Sequence, residues 1–267
     1  MLLFEELPGF LSVILNLHVN FDSVYVQKEA VNFSSLNPLG DCPGSLNGGM
    51  RAPSKCLVVV QEWWGMNEQI KEQARHIGEL GNFVTMVPDL YRGRVARNFT
   101  EALHITRGLD YPGAIQDIKA AAQFLLKSGC KKVGVTGFCM GGALSLAAAA
   151  LVPEISAAAP FYGIPDISLA NVSTIKIPVQ CHFGKNDSSN TANPVEYMKL
   201  EQKLKAGGVD YEFYEYDAGH AFTNPQSRNY NKTIAELSVG RMIEFMNKHL
   251  AVGEEEKLSV ESDQPGT

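Results

Sequence analysis

The sequence predicts an α/β domain built on a mainly parallel sheet flanked by helices on both faces, and three observations carry that expectation. Apolar runs of strand length recur without polar alternation, as strands buried on both faces require. Stretches with apolar residues at helical spacing separate them. A chain of 267 residues, 45% hydrophobic and 19% charged, is long enough to bury one substantial core.

The elements follow in order. KCLVVVQ, Lys55 to Gln61, is a continuous apolar strand, and Asn67 to Leu80 carries Ile70, Ala74, Ile77 and Leu80 on one helical face. A strand around Phe83 to Val87, a helix from Pro112 to Lys127 and a strand from Lys132 to Thr136 continue the alternation. The alanine-rich run Gly141 to Leu151 reads as a helix, followed by strands at Ala157 to Tyr162 and Pro178 to Phe183. A helix from Pro194 to Ala206, a strand from Asp210 to Tyr216 and a helix from Tyr230 to His249 complete the pattern. Apolar strands separated by amphipathic helices place the chemistry beyond the carboxyl ends of the strands.

Residues 1–54 and 251–267 lie outside this alternation, which makes 55–250 the expected domain. MLLFEELPGFLSVILNLHVNF has Glu5 and Glu6 where a leader needs positive charge, and Pro8 and Gly9 interrupt its apolar run. It reads as a packed or loosely attached segment rather than a leader or a membrane span. Val19 to Val26 has strand character, SSLNPLGDCPGSLNGGMRAPSK reads as loop, and the charged GEEEKLSVESDQPGT reads as a disordered acidic tail.

The net charge of −6 offers no basic patch to nucleic acid and none to anionic lipid, so neither is an expected partner. The five cysteines, Cys42, Cys56, Cys130, Cys139 and Cys181, are scattered and form no C-x-x-C pair. That pattern suggests neither a disulfide framework nor a zinc site, and it points to a reducing, cytoplasmic compartment.

One of these cysteines stands apart. Gly137-Phe138-Cys139-Met140-Gly141 matches G-x-S-x-G with cysteine for serine, between a predicted strand and a predicted helix, which is the setting of the nucleophile elbow in an α/β-hydrolase. The glycines let strand and helix approach closely, and the helix N-terminus favours thiolate over thiol. The other four cysteines read as small buried hydrophobes.

A nucleophile on this elbow needs a base and an orienting acid, in the chain order nucleophile, acid, histidine. Asp187 lies in a polar turn after VQCHFG, and His220 lies in a loop after YEFYEYDAG, both just past strand ends. Among the six histidines, His182 is inside a strand, His76 and His249 are on helices, His18 is in the N-terminal segment, and His104 precedes the nucleophile. Asp166 and Asp217 compete with Asp187 for the acid's role.

These residues carry a resemblance. QEWWGMNEQIKEQARHIGELG, VPDLYRG, GVTGFCMGGALSLAAA, HFGKND and AGHAF together resemble the dienelactone hydrolase family, in a version found among eukaryotic members, from about Cys56 to Leu250. The resemblance implies an α/β-hydrolase fold and cofactor-free, metal-free hydrolysis of a small ester or lactone by Cys139, His220 and Asp187, in a monomer or homodimer. It also implies that Glu62 of QEWWGMN takes part in activating the thiol. The backbone N–H groups of Trp63 and Met140 would then form the oxyanion hole. Trp63 and Trp64 would either wall the pocket with aromatic surface or pack the core.

The chain departs from the family in its cations. Bacterial members clamp a substrate carboxylate with two arginines, one after the D-L-Y motif and one four residues after the histidine. Here DLYRGRVA supplies Arg92 and Arg94 on either side of that position, and GHAFTN supplies the neutral Asn224. The halved clamp predicts a preference for neutral substrates. Two other readings are a catalytically silent scaffold for a ligand or partner, and a thiol redox sensor at Cys139, for which a resolving cysteine would be expected nearby, whereas Cys130 precedes the strand at its opposite end.

Overall fold

The structure, a computed structural model, describes residues 28–49 and 55–252. The segment before Lys28, including the expected strand at Val19 to Val26, and the tail beyond residue 252 lie outside the described residues.

The strands are β1 (Lys28–Phe33), β2 (Cys42–Asn47), β3 (Lys55–Val60), β4 (Phe83–Pro88), β5 (Lys132–Phe138), β6 (Ile155–Phe161), β7 (Val179–Gly184) and β8 (Tyr211–Tyr216). Among the described residues they form one eight-stranded sheet in the order β1-β2-β4-β3-β5-β6-β7-β8. From β4 to β8 every pairing is parallel, and β1 and β2 add an antiparallel edge. This is the α/β-hydrolase fold. Every residue of β4 and β7 is buried, which is why these strands read as unbroken apolar runs.

The helices are α1 (Glu68–Gly81), α2 (Phe99–Arg107), α3 (Tyr111–Lys127), α4 (Met140–Leu151), α5 (Pro194–Ala206) and α6 (Lys232–His249). Helix α1 starts where the Asn67 side chain accepts from the Ile70 N–H, and it ends at Asn82 in the left-handed region at φ 53°. Helices α1 and α6 touch each other on one face of the sheet, and α3 and α4 touch on the other. The alanines of α4 let it sit close to β5 and β6, with Leu144, Leu146, Ala147 and Ala148 closed to solvent.

Three elements depart from the sequence expectation. The stretch read as loop contains β2, whose Pro43 lacks an N–H but whose carbonyl accepts from Asp89 N at 2.8 Å. The strand β1 covers its outer side. Helix α2 fills the connection after β4, and Asn98 caps it by accepting from Glu101 N at 3.0 Å.

The cysteines require a correction. Cys56 and Cys130 form a disulfide with Cα atoms 6.0 Å apart. Neighbouring strands bring them together: Cys56 pairs with Val133, three residues after Cys130, while 74 residues of sequence separation hide the pairing. The bridge removes the ground on which a reducing compartment was expected. It also occupies Cys130, at the far end of β5 from Cys139, so Cys130 is not a thiol poised to resolve Cys139. No described helix is long and apolar enough to cross a membrane.

Candidate active site

The chain winds from β3 outward to β4, then crosses back to β5 on the other side of β3. That reversal opens a crevice at the carboxyl ends of β3 and β5. In the β3–β5 register Val60 faces Gly137. Glu62 and Cys139 each lie two residues further on, so both enter the crevice at the same height.

Cys139 sits on a sharp turn with φ 55° and ψ −117°, a conformation that L-residues rarely adopt. Its N–H donates to Phe161 O at 3.1 Å and its carbonyl accepts from Ala143 N at 3.1 Å, which pin the turn joining β5 to α4 against the end of β6. The flanking glycines are sterically required. A Cβ on Gly137 would lie 2.3 Å from Gly141 O, and one on Gly141 would lie 2.3 Å from Val60 O. The sequence reading of the elbow therefore has its local geometry: the thiol stands at the N-terminus of α4, half-buried.

The strand-end loops of β7 and β8 supply the next two groups. His220 Nδ1 lies 2.6 Å from Asp187 Oδ2. Asp187 Oδ1 accepts from Ser189 N at 2.8 Å. Asn229 Nδ2 donates to His220 O at 2.9 Å and anchors the loop. The Tyr162 ring meets the imidazole edge-on with centroids 5.1 Å apart. Burial works to lower the His220 pKa, but Asp187 and then a hydrogen bond with Cys139 outweigh it and lift it to about 10. Burial works to raise Asp187, and the hydrogen bonds from His220 and Ser189 more than offset it and hold the carboxyl below its usual range.

The competing acids are engaged elsewhere. Asp217 accepts from Asn186 Nδ2 at 2.6 Å, and Asp166 accepts from Ser168 N at 2.8 Å. His182 is fully buried, between Gln180 Oε1 and the Tyr216 hydroxyl, each at 2.9 Å, and stacks on Phe161. Burial pushes its pKa down to about 3.

Glu62 is buried beneath the thiol's turn. Its Oε2 accepts from Asn224 Nδ2 at 2.6 Å, and among the described residues Oε1 has no hydrogen-bond partner. Burial pushes this carboxyl up, against the opposing pulls of Asn224 and His220. Asn224, expected as a substrate contact, thus turns its amide N–H toward Glu62, while its Oδ1 accepts from Gln226 N.

These groups open into a cavity of about 1440 Å³ lined by Glu62, Trp63, Trp64, Cys139, Met140, His220 and Asn224, among others. Both tryptophans are wall residues. The Trp63 ring is edge-on to Trp64 at 5.2 Å and to Phe99 at 5.0 Å. Phe99 and Tyr111 also line the wall, and sequence reasoning missed both; the cap pattern Asn98 to Glu101 was the available signal for α2. Tyr162, also missed, follows β6 directly, so the strand-end rule that found His220 applies to it too.

The two arginines of DLYRGRVA do not line this cavity, which corrects the expectation that they face the pocket. Arg92 binds the buried Asp117 with both guanidinium NH2 groups, at 2.9 and 2.8 Å, and donates to Gly40 O. Arg94 is exposed, with its carbonyl packed toward Gly65. The cations at the wall are Arg97, Lys119 and Arg228 instead.

A family model described as the dienelactone hydrolase family matches residues 44–250, reaching into β2. The chain is 32% identical over 208 residues to Protein usf of Aquifex pyrophilus, covering 73% of this chain and 88% of that protein. It is 27% identical over 231 residues to the carboxymethylenebutenolidase of Pseudomonas putida, covering 82% and 95%. A solved dienelactone hydrolase-like promiscuous phosphotriesterase from metagenomic libraries has the same fold, with a TM-score of 0.73 at 22% identity over 84% of this chain and 99% of that one. With an elbow, a strand-end histidine and a matching stretch that spans nearly the whole described sheet, the chain belongs to the dienelactone hydrolase family.

Proposed function

We propose that this chain, a carboxylic ester hydrolase by family, acts through a Cys139, His220 and Asp187 triad with a thioester acyl-enzyme. The observation that carries the reading is the 2.6 Å contact between His220 Nδ1 and Asp187 Oδ2, on loops that face the Cys139 elbow.

In the first step the Cys139 thiolate attacks the ester carbonyl carbon. The carbonyl electron pair moves to oxygen, and the N–H groups of Trp63 and Met140 stabilise the oxyanion. Met140 suits this role because the first N–H groups of a helix have no partner within it. Collapse of the intermediate breaks the carbon–oxygen bond, and His220 protonates the departing alkoxide. Water, deprotonated by His220, then attacks the thioester, and the thiolate leaves with a carboxylic acid as product. Asp187 holds the imidazole in the tautomer that this proton traffic needs.

Glu62 assists at rest. Burial raises the proton affinity of this carboxylate, which suits it to take the thiol proton, while Asn224 fixes its orientation. Arg92 is engaged by Asp117, so no partly buried arginine is available to hold a substrate carboxylate, and neutral esters or lactones are the preferred class.

The test is rapid-quench turnover of p-nitrophenyl acetate with intact-mass detection. A burst of one nitrophenolate per chain and an acetyl adduct on the Cys139 peptide are expected. An adduct on another residue, or a Cys139→Ala protein keeping more than about a tenth of the activity, contradicts the reading.

A further inference from the structure

The cavity does not end at the thiol. From Cys139 and Met140 at the start of α4 it continues to Leu151 and Val152 at the helix's other end. On α3 it follows Tyr111, Ile115 and Lys119, residues spaced four apart and therefore on one face. Both helices lead away from the carboxyl edge of the sheet, α3 toward the start of β5 and α4 away from its end. The shared wall is therefore a groove between parallel helices. At 1.5 Å per residue it is about 12 Å long on α3 and about 16 Å on α4.

The cavity as a whole, of which this groove is one arm, exceeds what a one-ring lactone fills. Small-molecule pockets run to roughly 300–1,000 Å³, against about 1440 Å³ here. Tyr111 and Ala143 leave part of their surface open to the groove, Leu151 leaves 47% exposed at the far end, and the half-buried Gln116 and Lys119 add polar surface along α3. At about 1.5 Å per carbon–carbon bond, shortened by the zigzag, the groove matches an alkyl chain on the order of ten carbons.

The direction is set by the base. His220 arrives on the loop after β8, on the opposite side of Cys139 from α3, which packs on β3, β4 and β5. The imidazole that protonates the leaving alcohol therefore draws it toward the β7 and β8 side. The acyl portion is left facing the α3–α4 groove.

We propose that the α3–α4 groove is an acyl-chain subsite, so that the favoured substrates are esters with a linear apolar acyl arm of about eight to twelve carbons. This rests on the hydrolase reading above and names the substrate class for that site. Each buried methylene is worth up to about fourfold in binding.

The experiment is kcat/KM along p-nitrophenyl acetate, butanoate, hexanoate, octanoate, decanoate and dodecanoate below their micelle concentrations. The expected profile rises at least tenfold from butanoate to decanoate, mainly through KM. Gln116→Trp, which places bulk on the half-buried groove face of α3, and Leu151→Glu, which places charge at the exposed far end, should each lower the decanoate-to-butanoate ratio at least fivefold. A flat profile, a maximum at acetate, or ratios unchanged in both variants would overturn the subsite. If no ester is turned over, the hydrolase reading fails, and calorimetry of the Cys139→Ala protein with decan-2-one and butan-2-one judges the groove alone. Decan-2-one should bind at least tenfold tighter; equal affinities overturn the proposal.

Discussion

Asn224 Nδ2 donates to Glu62 Oε2 at 2.6 Å in a position where both side chains are almost closed to solvent. A neutral amide, rather than a cation, is the main donor to a buried carboxyl. The carboxyl's pKa is therefore raised in the folded state, chiefly by burial. A raised carboxyl stabilises the fold below the unfolded value, roughly 4.3, and that contribution is lost as pH rises through the folded value. Glu62→Gln removes the buried charge while keeping the shape. It should raise the melting temperature at pH 8, with no gain near pH 4, while lowering kcat. Asn224→Ala should do the reverse for stability, costing about 1–3 kcal/mol at pH 8 and much less near pH 4. Thermal melts of the three proteins at the two pH values decide it; parallel shifts at both would contradict a titrating Glu62.

The thiols should differ sharply in reactivity. Cys139 is half-buried at the start of a helix, whereas Cys42 and Cys181 are buried. Burial pushes Cys42 up to about 12 and Cys181 higher still. Cys56 and Cys130 are bonded to each other. Iodoacetamide at pH 7.5 should therefore label the Cys139 peptide at least tenfold faster than the peptides of Cys42 and Cys181. Mass mapping over time provides the rates, and comparable labelling of three thiols would refute an activated nucleophile.

His220 makes a pH prediction of opposite sign to that of acid denaturation, and Asp187 one of the same sign. His220 is lifted from about 6.5 to about 10, so the stability it contributes is complete below the lower value and is lost as pH climbs to the upper one. Asp187 is held low, so its contribution is present above roughly 3.9 and is lost as pH falls through the folded value. Asp187→Asn should flatten the loss of melting temperature between pH 6.5 and 10. It should also cut kcat by on the order of 10^3- to 10^4-fold, by favouring the wrong tautomer. An unchanged kcat would transfer the acid's role to another residue.

The fold was largely legible because buried parallel strands write themselves as continuous apolar runs. β3, β5 and β7 could be read directly, and the elbow followed from the glycines around Cys139. Positions of Asp187 and His220 were legible as strand ends. What escaped depends on contacts distant in sequence. β2 contains Pro43 and Gly44, which are turn residues by local preference, and its strand character comes from pairing with β1 and β4. The disulfide depends on β3 and β5 being neighbours. Arg92 could be placed near the pocket by its motif, but its rotamer answers to Asp117, 25 residues further along the chain.

That ion pair leads to the last prediction. Asp117 is fully buried on α3, and besides Arg92 it accepts from Ser35 Oγ at 2.6 Å and Asn37 Nδ2 at 2.8 Å. The cluster ties the β1–β2 connection and the loop after β4 to α3, away from the cavity wall. Arg92 keeps 17% of its side chain exposed, so water screens the pair in part. Arg92→Ala leaves Asp117 with two neutral donors and should cost roughly 3 kcal/mol, at the low end for a broken buried pair. Its effect on substrate choice should be small: the ratio of kcat/KM for a neutral ester to that for its carboxylate-bearing analogue should change less than twofold. Arg97→Ala and Arg228→Ala, at the rim, should each weaken the anionic analogue by a few-fold at low salt, an effect that 0.5 M salt removes because exposed charges are screened. Urea titration measures the stability term and the matched substrates measure the other. If Arg92→Ala were as stable as the parent chain but lost a preference for the acid, the guanidinium would be a substrate clamp and Asp117 only its resting partner.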